Sequence, residues 1–112
     1  MRKYRNNKTV IRTSQGNMKF DSIREATRYV ELKQLEKTKQ IKDLQCQVKY
    51  QLIPTQKRPD GKTERSVSYI ADFVYSDGNN TVVEDTKGFK TKDYIIKRKL
   101  MLYVHGIAVK EV

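Results

Sequence analysis

The stretch VVEDTKG, residues 82–88, carries two valines straight into Glu84, Asp85 and Lys87 and stops at Gly88. Charged groups are poor material for the end of a half-buried strand unless they do chemistry or neutralise one another. Side chains alternate along a strand, so Val83, Asp85 and Lys87 share one face and Val82, Glu84 and Thr86 the other. In the preceding run YIADFVY, Asp72 stands between Ala71 and Phe73, where an uncompensated carboxylate is costly. The linking SDGNN reads as a tight turn, and an antiparallel hairpin through it sets Asp72 close to Asp85. Two facing carboxylates repel, and a divalent cation between them removes the repulsion. Oxygen ligands suit Mg²⁺, with Mn²⁺ as substitute: the ion takes one or two carboxylates and completes its shell with water and substrate phosphate. It polarises a phosphoryl oxygen and lowers the pKa of a water, while Lys87 holds that water or stabilises the developing charge. Asp72, Asp85 and Lys87 are thus suited to hydrolysing a phosphodiester. An ordinary salt-bridged patch is the alternative, because D-x-K is a short pattern.

The elements that position these groups follow from periodicity. KFDSIREATRYVELKQLEK opens with Ser22 as N-cap and Glu25 three residues later, a capping box. It predicts a helix with Ile23, Ala26, Tyr29, Val30 and Leu32 on the apolar face, Arg24, Arg28 and Glu31 opposite, and Phe20 stapled beneath. Glu25 sits at the edge of the apolar face, so it is either a metal-site carboxylate or only the capping partner; the two roles are compatible. LQCQVKYQLIP alternates, with Leu44, Cys46, Val48, Tyr50 and Leu52 on one side and Gln45, Gln47, Lys49 and Gln51 on the other, and predicts a strand. PTQKRPDGKTERS is a loop or hairpin tip. VSYIADFVYSD and TVVEDTK are two further strands, TKDYIIKRKLMLYVHG a second helix capped by Thr91 and ending near Gly106, and IAVKEV a last short strand. The predicted fold class is therefore α/β, an α-β-β-β-α-β core with helices on a small mixed sheet, the last strand parallel to the third.

The 112 residues suffice for one domain and one modest core. Lys and Arg outnumber Asp and Glu by 24 to 13, a net charge of +11 that favours a polyanionic partner, nucleic acid first. A membrane surface fits less well, since no basic amphipathic helix has a clean apolar face. Cys46 is the single cysteine; it excludes an internal disulfide and a cysteine-based zinc site, and fits a reducing, intracellular location. Residues 1–17 read as a basic flexible arm able to reach phosphates through Arg2, Lys3 and Arg5, or as a solvated tail, and residues 18–112 as the domain. Further phosphate contacts are expected from Lys57, Arg58, Lys62 and Arg65 in the loop and from Lys90, Lys92, Lys97, Arg98 and Lys99 around the second helix. Gln47 and Tyr69 are either supporting groups for the scissile phosphate or, respectively, an exposed strand polar and a core aromatic. His105, at a helix end, reads as a dipole partner.

The pair YIADFVY and VVEDTKG resembles the PD-(D/E)XK nuclease superfamily, the restriction-endonuclease-like fold, with Asp72 as the first motif Asp, Ala71 in place of its Pro, and Asp85-Thr86-Lys87 as the (D/E)XK. FDSIREATRYVEL resembles the first helix of several members, in which a Glu at the position of Glu25 joins the metal site. The longer run F-D-S-x-x-E-A, I-K-D-L-Q-x-Q, Y-I-A-D-F-x-Y, V-V-E-D-x-K-G is similar to small phage-encoded proteins, many predicted endonucleases compared with Holliday junction resolvases. The resemblance spans residues 18–112. It implies metal ligation by Asp72, Asp85, Glu25 and the Thr86 carbonyl. It further implies in-line attack of water to leave a 5′-phosphate and a 3′-hydroxyl, and a role in phage DNA recombination, replication or packaging in the bacterial host cytoplasm. The expected activity is Mg²⁺-dependent endonuclease cleavage of branched or duplex DNA by a homodimer, since cutting two strands needs two sites. A non-catalytic nucleic-acid-binding protein is the alternative, and an RNA-associated protein a weaker third.

Overall fold

The computed structural model describes residues 9–13 and 16–112. The elements run β1 (Thr9–Thr13), β2 (Gly16–Phe20), α1 (Ile23–Lys37), β3 (Lys42–Ile53), β4 (Gln56–Lys57), β5 (Thr63–Glu64), β6 (Val67–Ser76), β7 (Thr81–Asp85), α2 (Lys92–His105) and β8 (Lys110–Glu111). One four-stranded mixed sheet, in the order β3-β6-β7-β8, carries the fold. Strands β3, β6 and β7 are antiparallel neighbours, and β8 returns parallel to β7 after the α2 crossover, as the sequence predicts. In the β6–β7 hairpin Phe73 faces Glu84 and Val74 faces Val83, the register that brings Asp72 to Asp85 one step further along.

The basic arm expected over residues 1–17 needs correction. Its residues 9–13 and 16–17 belong to the β1–β2 hairpin, and Ile11 and Met18 pack against the core beside α1. Burial of those two side chains anchors a segment that charge alone would leave in solvent. Arg2, Lys3 and Arg5 lie outside the described residues. The loop after β3 is indeed a hairpin, the small β4–β5 pair.

Two apolar clusters flank the sheet. Phe20, Ala26, Tyr29, Leu32, Ile41, Phe73 and Tyr75 bury the α1 side. Leu52, Tyr69, Ala71, Val74, Val83, Tyr94 and Met101 bury the α2 side. The alternation of β3 does not keep one face: Leu44 and Cys46 pack on the α1 cluster, Val48 and Tyr50 on the α2 cluster. Its partner changes likewise between Ala71 and Phe73. The change falls at Gln47, whose φ of 56° is left-handed, and at Asp72 opposite it. Lys39 and Asp43, at the turn into β3, share that conformation, but at Gln47 it coincides with the change of face, so the sheet is kinked where the candidate site lies.

Helix α1 is capped by Ser22, whose hydroxyl accepts from the Glu25 amide at 3.1 Å, and Phe20 packs on Tyr29 with ring centroids 5.0 Å apart. The expected apolar face is rotated. Ile23 and Val30 are exposed and Glu25 is buried, while Arg28 turns inward. Tertiary pairing with a buried carboxylate overrides the simple stripe. Helix α2 starts at the Thr91 cap and ends at Gly106, φ 69°, the left-handed cap that glycine takes without steric cost. Among the described residues no helix is long and apolar enough to cross a membrane.

Candidate active site

Asp72, Asp85, Glu25 and Lys87 converge where the β6–β7 ladder ends beside the start of α1. Asp85 is 2% exposed. Its Oδ2 accepts a hydrogen bond from the Tyr69 hydroxyl. Its buried Oδ1 has no hydrogen-bond partner, and the nearest cation is the Lys87 Nζ at 3.6 Å. Lys87 also lies 4.9 Å above the Tyr94 ring, a cation–π contact that holds the ammonium over the site. Asp72 Oδ2 accepts from both the amide and the hydroxyl of Thr86, each at 2.8 Å. The side chain of Thr86, absent from the expectations drawn from sequence, is thus the clamp that fixes Asp72. Glu25 is buried and its Oε2 accepts from Gln47 Nε2 at 2.8 Å. The capping box therefore accounts for the Glu25 amide, whereas the carboxylate reaches across to the kinked strand. Gln47 is a positioning group for Glu25, and Tyr69 for Asp85. Tyr69 is also a core aromatic of the α2 cluster, the second of its two expected readings.

The electrostatics register this crowding. Burial, then the nearby charges of Asp72 and Asp21, push the Glu25 carboxyl up to about 7, with Asp85 adding a smaller push. Burial raises Asp85 to about 6; the Tyr69 hydroxyl and Lys87 pull the other way, and Asp72 pushes with burial. Raised carboxylates in a cleft mark sites that await a compensating charge. The cleft, of about 330 Å³, is lined by Asp21, Ser22, Arg24, Glu25, Asp72, Thr86, Lys87 and Gly88. A second cleft of about 310 Å³ opens on the α2 side of Asp85 and Lys87 and includes Lys97. Arg24, read from the sequence as an outward residue, lines the first cleft and is a cation the sequence analysis missed.

Glu84, the carboxylate next to Asp85, serves a different purpose. It is fully buried on the opposite face, held bidentately by Arg28 Nε at 2.8 Å and Nη2 at 2.6 Å, with the Tyr75 hydroxyl as a third donor. With its oxygens so engaged, Glu84 belongs to the framework.

The basic residues divide. Arg58 is tied to Asp60 at 2.8 Å and Glu64 at 3.7 Å within its own hairpin. Arg98 and Lys90 lie 2.9 and 3.8 Å from Glu111, which also accepts from the Tyr94 hydroxyl. Arg58 thus faces two carboxylates, whereas Arg98 and Lys90 share the single charge of Glu111. Lys57, Lys62, Arg65, Lys92 and Lys99 are exposed, and Lys97 faces the second cleft. His105 is bound through its ring to the Gln51 carbonyl at 2.7 Å and packs on Tyr50, so it pins α2 to the sheet edge. Burial raises the Cys46 thiol to about 11, leaving it an inert core group.

Residues 1–109 match the family model described as Protein of unknown function (DUF1064). The chain belongs to that family. No curated protein and no solved structure matches it. Among the described residues of this DUF1064 member, no three carboxylate, His or Cys groups already stand together at ligating distance. The three carboxylates are instead held by Thr86, Tyr69 and Gln47. The fit to a divalent cation rests on the unpartnered Asp85 Oδ1 and on an all-oxygen donor set suited to Mg²⁺.

One consequence for the DUF1064 protein is a pH-dependent stability. For Glu25 and Asp85 the folded pKa exceeds the unfolded value, so the folded state binds more protons. Their contribution is fully present below about pH 4 and is lost as pH rises through about 6 to 7. For Glu25 the loss is on the order of 3 kcal/mol. Calorimetry is expected to show a lower Tm at about pH 8 than at about pH 5. If these oxygens hold Mg²⁺, the ion is expected to raise Tm at the higher pH only, because protons and cation compete for the same oxygens.

Proposed function

We propose that this protein is a Mg²⁺-dependent DNA endonuclease of PD-(D/E)XK type. The observation that carries the proposal is the buried Asp85 oxygen without a hydrogen-bond donor, next to Asp72 and 3.6 Å from Lys87, between the cleft that Asp72 lines and the cleft on the α2 side that Asp85 lines, with Lys87 lining both. Leaving such an oxygen uncompensated costs on the order of 1–3 kcal/mol, which binding of a cation offsets. The element order and the β6–β7 register agree with the PD-(D/E)XK resemblance.

Asp72 and Asp85 would hold the ion, with Glu25 as a third carboxylate. A bound Mg²⁺ would supply charge stabilisation at the phosphate and a more acidic water. The chain's own groups do the rest. Thr86 keeps Asp72 aimed into the cleft and Tyr69 keeps Asp85 in place. Gln47 holds the Glu25 carboxylate in place. Lys87 places a positive charge where negative charge grows on the phosphate. Arg24 on the α1 side and Lys97 on the α2 side neutralise the flanking phosphates. One small domain leaves little room for reading bases, which favours recognition of DNA shape, including branched DNA, and a homodimer would supply two sites.

The alternative, a binding protein that retains this fold, is favoured by the absence of a preassembled ligand triad among the described residues. Incubation with branched, linear and single-stranded DNA in Mg²⁺ or Mn²⁺ separates the two. Metal-dependent nicking is expected. Tight binding with no cutting in either metal selects the alternative, and tightest binding to structured RNA selects an RNA-associated role.

A further inference from the structure

The chain has three phenylalanines. Phe20 and Phe73 are buried in the α1 cluster, whereas Phe89 is 80% exposed and belongs to neither cluster. Its position is informative. Phe89 follows Lys87 and Gly88, both of which line the cleft with Glu25 and Asp72. It is two residues from the site lysine, within roughly 7 Å along an extended chain. Gly88 does not have a left-handed φ, and a methyl group there would meet nothing within 4 Å. Neither packing nor backbone geometry at this point demands a glycine, and the space beside Gly88 is open. Lys87 and Lys92 flank the ring in sequence, and Lys90 between them shares the single charge of Glu111 with Arg98, a setting hostile to an apolar protein partner and favourable to a polyanion. An aromatic ring beside a track of cations is the arrangement by which proteins hold unpaired bases, since every base has a face to stack and the lysines hold its backbone.

We propose that Phe89 is a stacking platform for an unpaired nucleobase adjoining the phosphate held in the cleft. The preferred substrate is then DNA with unpaired bases at a fork, gap or junction rather than closed duplex. The proposal rests on reading the cleft as a phosphodiester site and sharpens it to a substrate class.

The chain contains no tryptophan, so Phe89→Trp introduces a sole indole whose emission reports stacking directly. Titration without divalent metal, with gapped or forked DNA and with closed duplex of equal length, keeps the substrates intact. Quenching by the gapped and forked DNA but not by the duplex is expected. Phe89→Ala is expected to weaken binding to gapped DNA about tenfold, the loss of one stacked base, and to leave duplex affinity unchanged. Equal quenching by duplex, no quenching, or an unaltered preference in Phe89→Ala overturns the proposal. So does a fall in oligomer mass on that substitution, which would mean that a second copy covers the ring. Wild-type cleavage assayed in parallel with Mg²⁺ separates the two claims. Quenching by a protein that never cuts removes the nuclease reading and upholds the platform. Cutting without quenching does the reverse.

Discussion

Asp85→Asn is expected to lower Mg²⁺-dependent DNA hydrolysis by about 10³-fold while raising Tm at about pH 8. The two effects have one cause. Asp85 is buried, its Oδ1 accepts no hydrogen bond and its neighbour Asp72 is also acidic, so its charge opposes folding at high pH. Asparagine keeps the shape and still offers an oxygen to the Tyr69 hydroxyl, but it removes the charge that would bind a cation. A residue kept for stability gives the opposite pattern, a lower Tm with activity falling only as protein unfolds. Single-turnover cleavage and calorimetry on the same preparations decide between them. Retained activity or a lowered Tm contradicts the role assigned to Asp85.

Arg28→Met is expected to cost about 3–5 kcal/mol of stability. Arg28 supplies two of the three hydrogen bonds to fully buried Glu84, and without it a carboxylate is stranded between α1 and the sheet. The pKa of Glu84 is held below the usual value by the Arg28 and Tyr75 hydrogen bonds against the upward push of burial, so loss of Arg28 leaves the burial penalty largely unopposed. Adding Glu84→Gln removes the stranded charge and keeps an acceptor for the Tyr75 hydroxyl. The double variant is expected to recover most of the loss. Urea unfolding measures both, and a double variant no more stable than Arg28→Met would show that the pair is not the source of the cost.

The parts of the fold set by local chemistry were legible in the sequence. Ser22 and Thr91 cap the two helices, Gly106 ends the second, and the SDGNN turn fixes the register that brings Asp72 to Asp85. Parity along β7 separated Asp85 and Lys87 from Glu84. The parts that depend on distant partners were not legible. Arg28 and Glu84 are 56 residues apart, and nothing near Arg28 in sequence says that it turns inward. The β1–β2 hairpin is short and lies in a basic stretch, so its charge outweighed the modest signal of Val10, Ile11 and Met18. The kink at Gln47 follows from a left-handed φ at a residue with no local preference for it. Similarly, Lys90 and Arg98, two of the cations expected to meet phosphate, share Glu111, an acidic neighbour that only folding brings close, whereas the Arg58–Asp60 pair is local. Arg24 entered the site for the same reason, since it lines the cleft beside Asp72, Thr86 and Lys87 from α1, whereas the Thr86 clamp on Asp72 forms across the β6–β7 hairpin.

A crystal soaked in Mn²⁺ tests the central claim most directly, because the ion's anomalous signal locates it without reference to activity. A peak within about 2–2.5 Å of carboxylate oxygens of Asp72 and Asp85, lost in Asp85→Asn, is the result expected. A saturating soak that leaves those oxygens without an ion, with Lys87 closing onto Asp85 instead, would contradict the account.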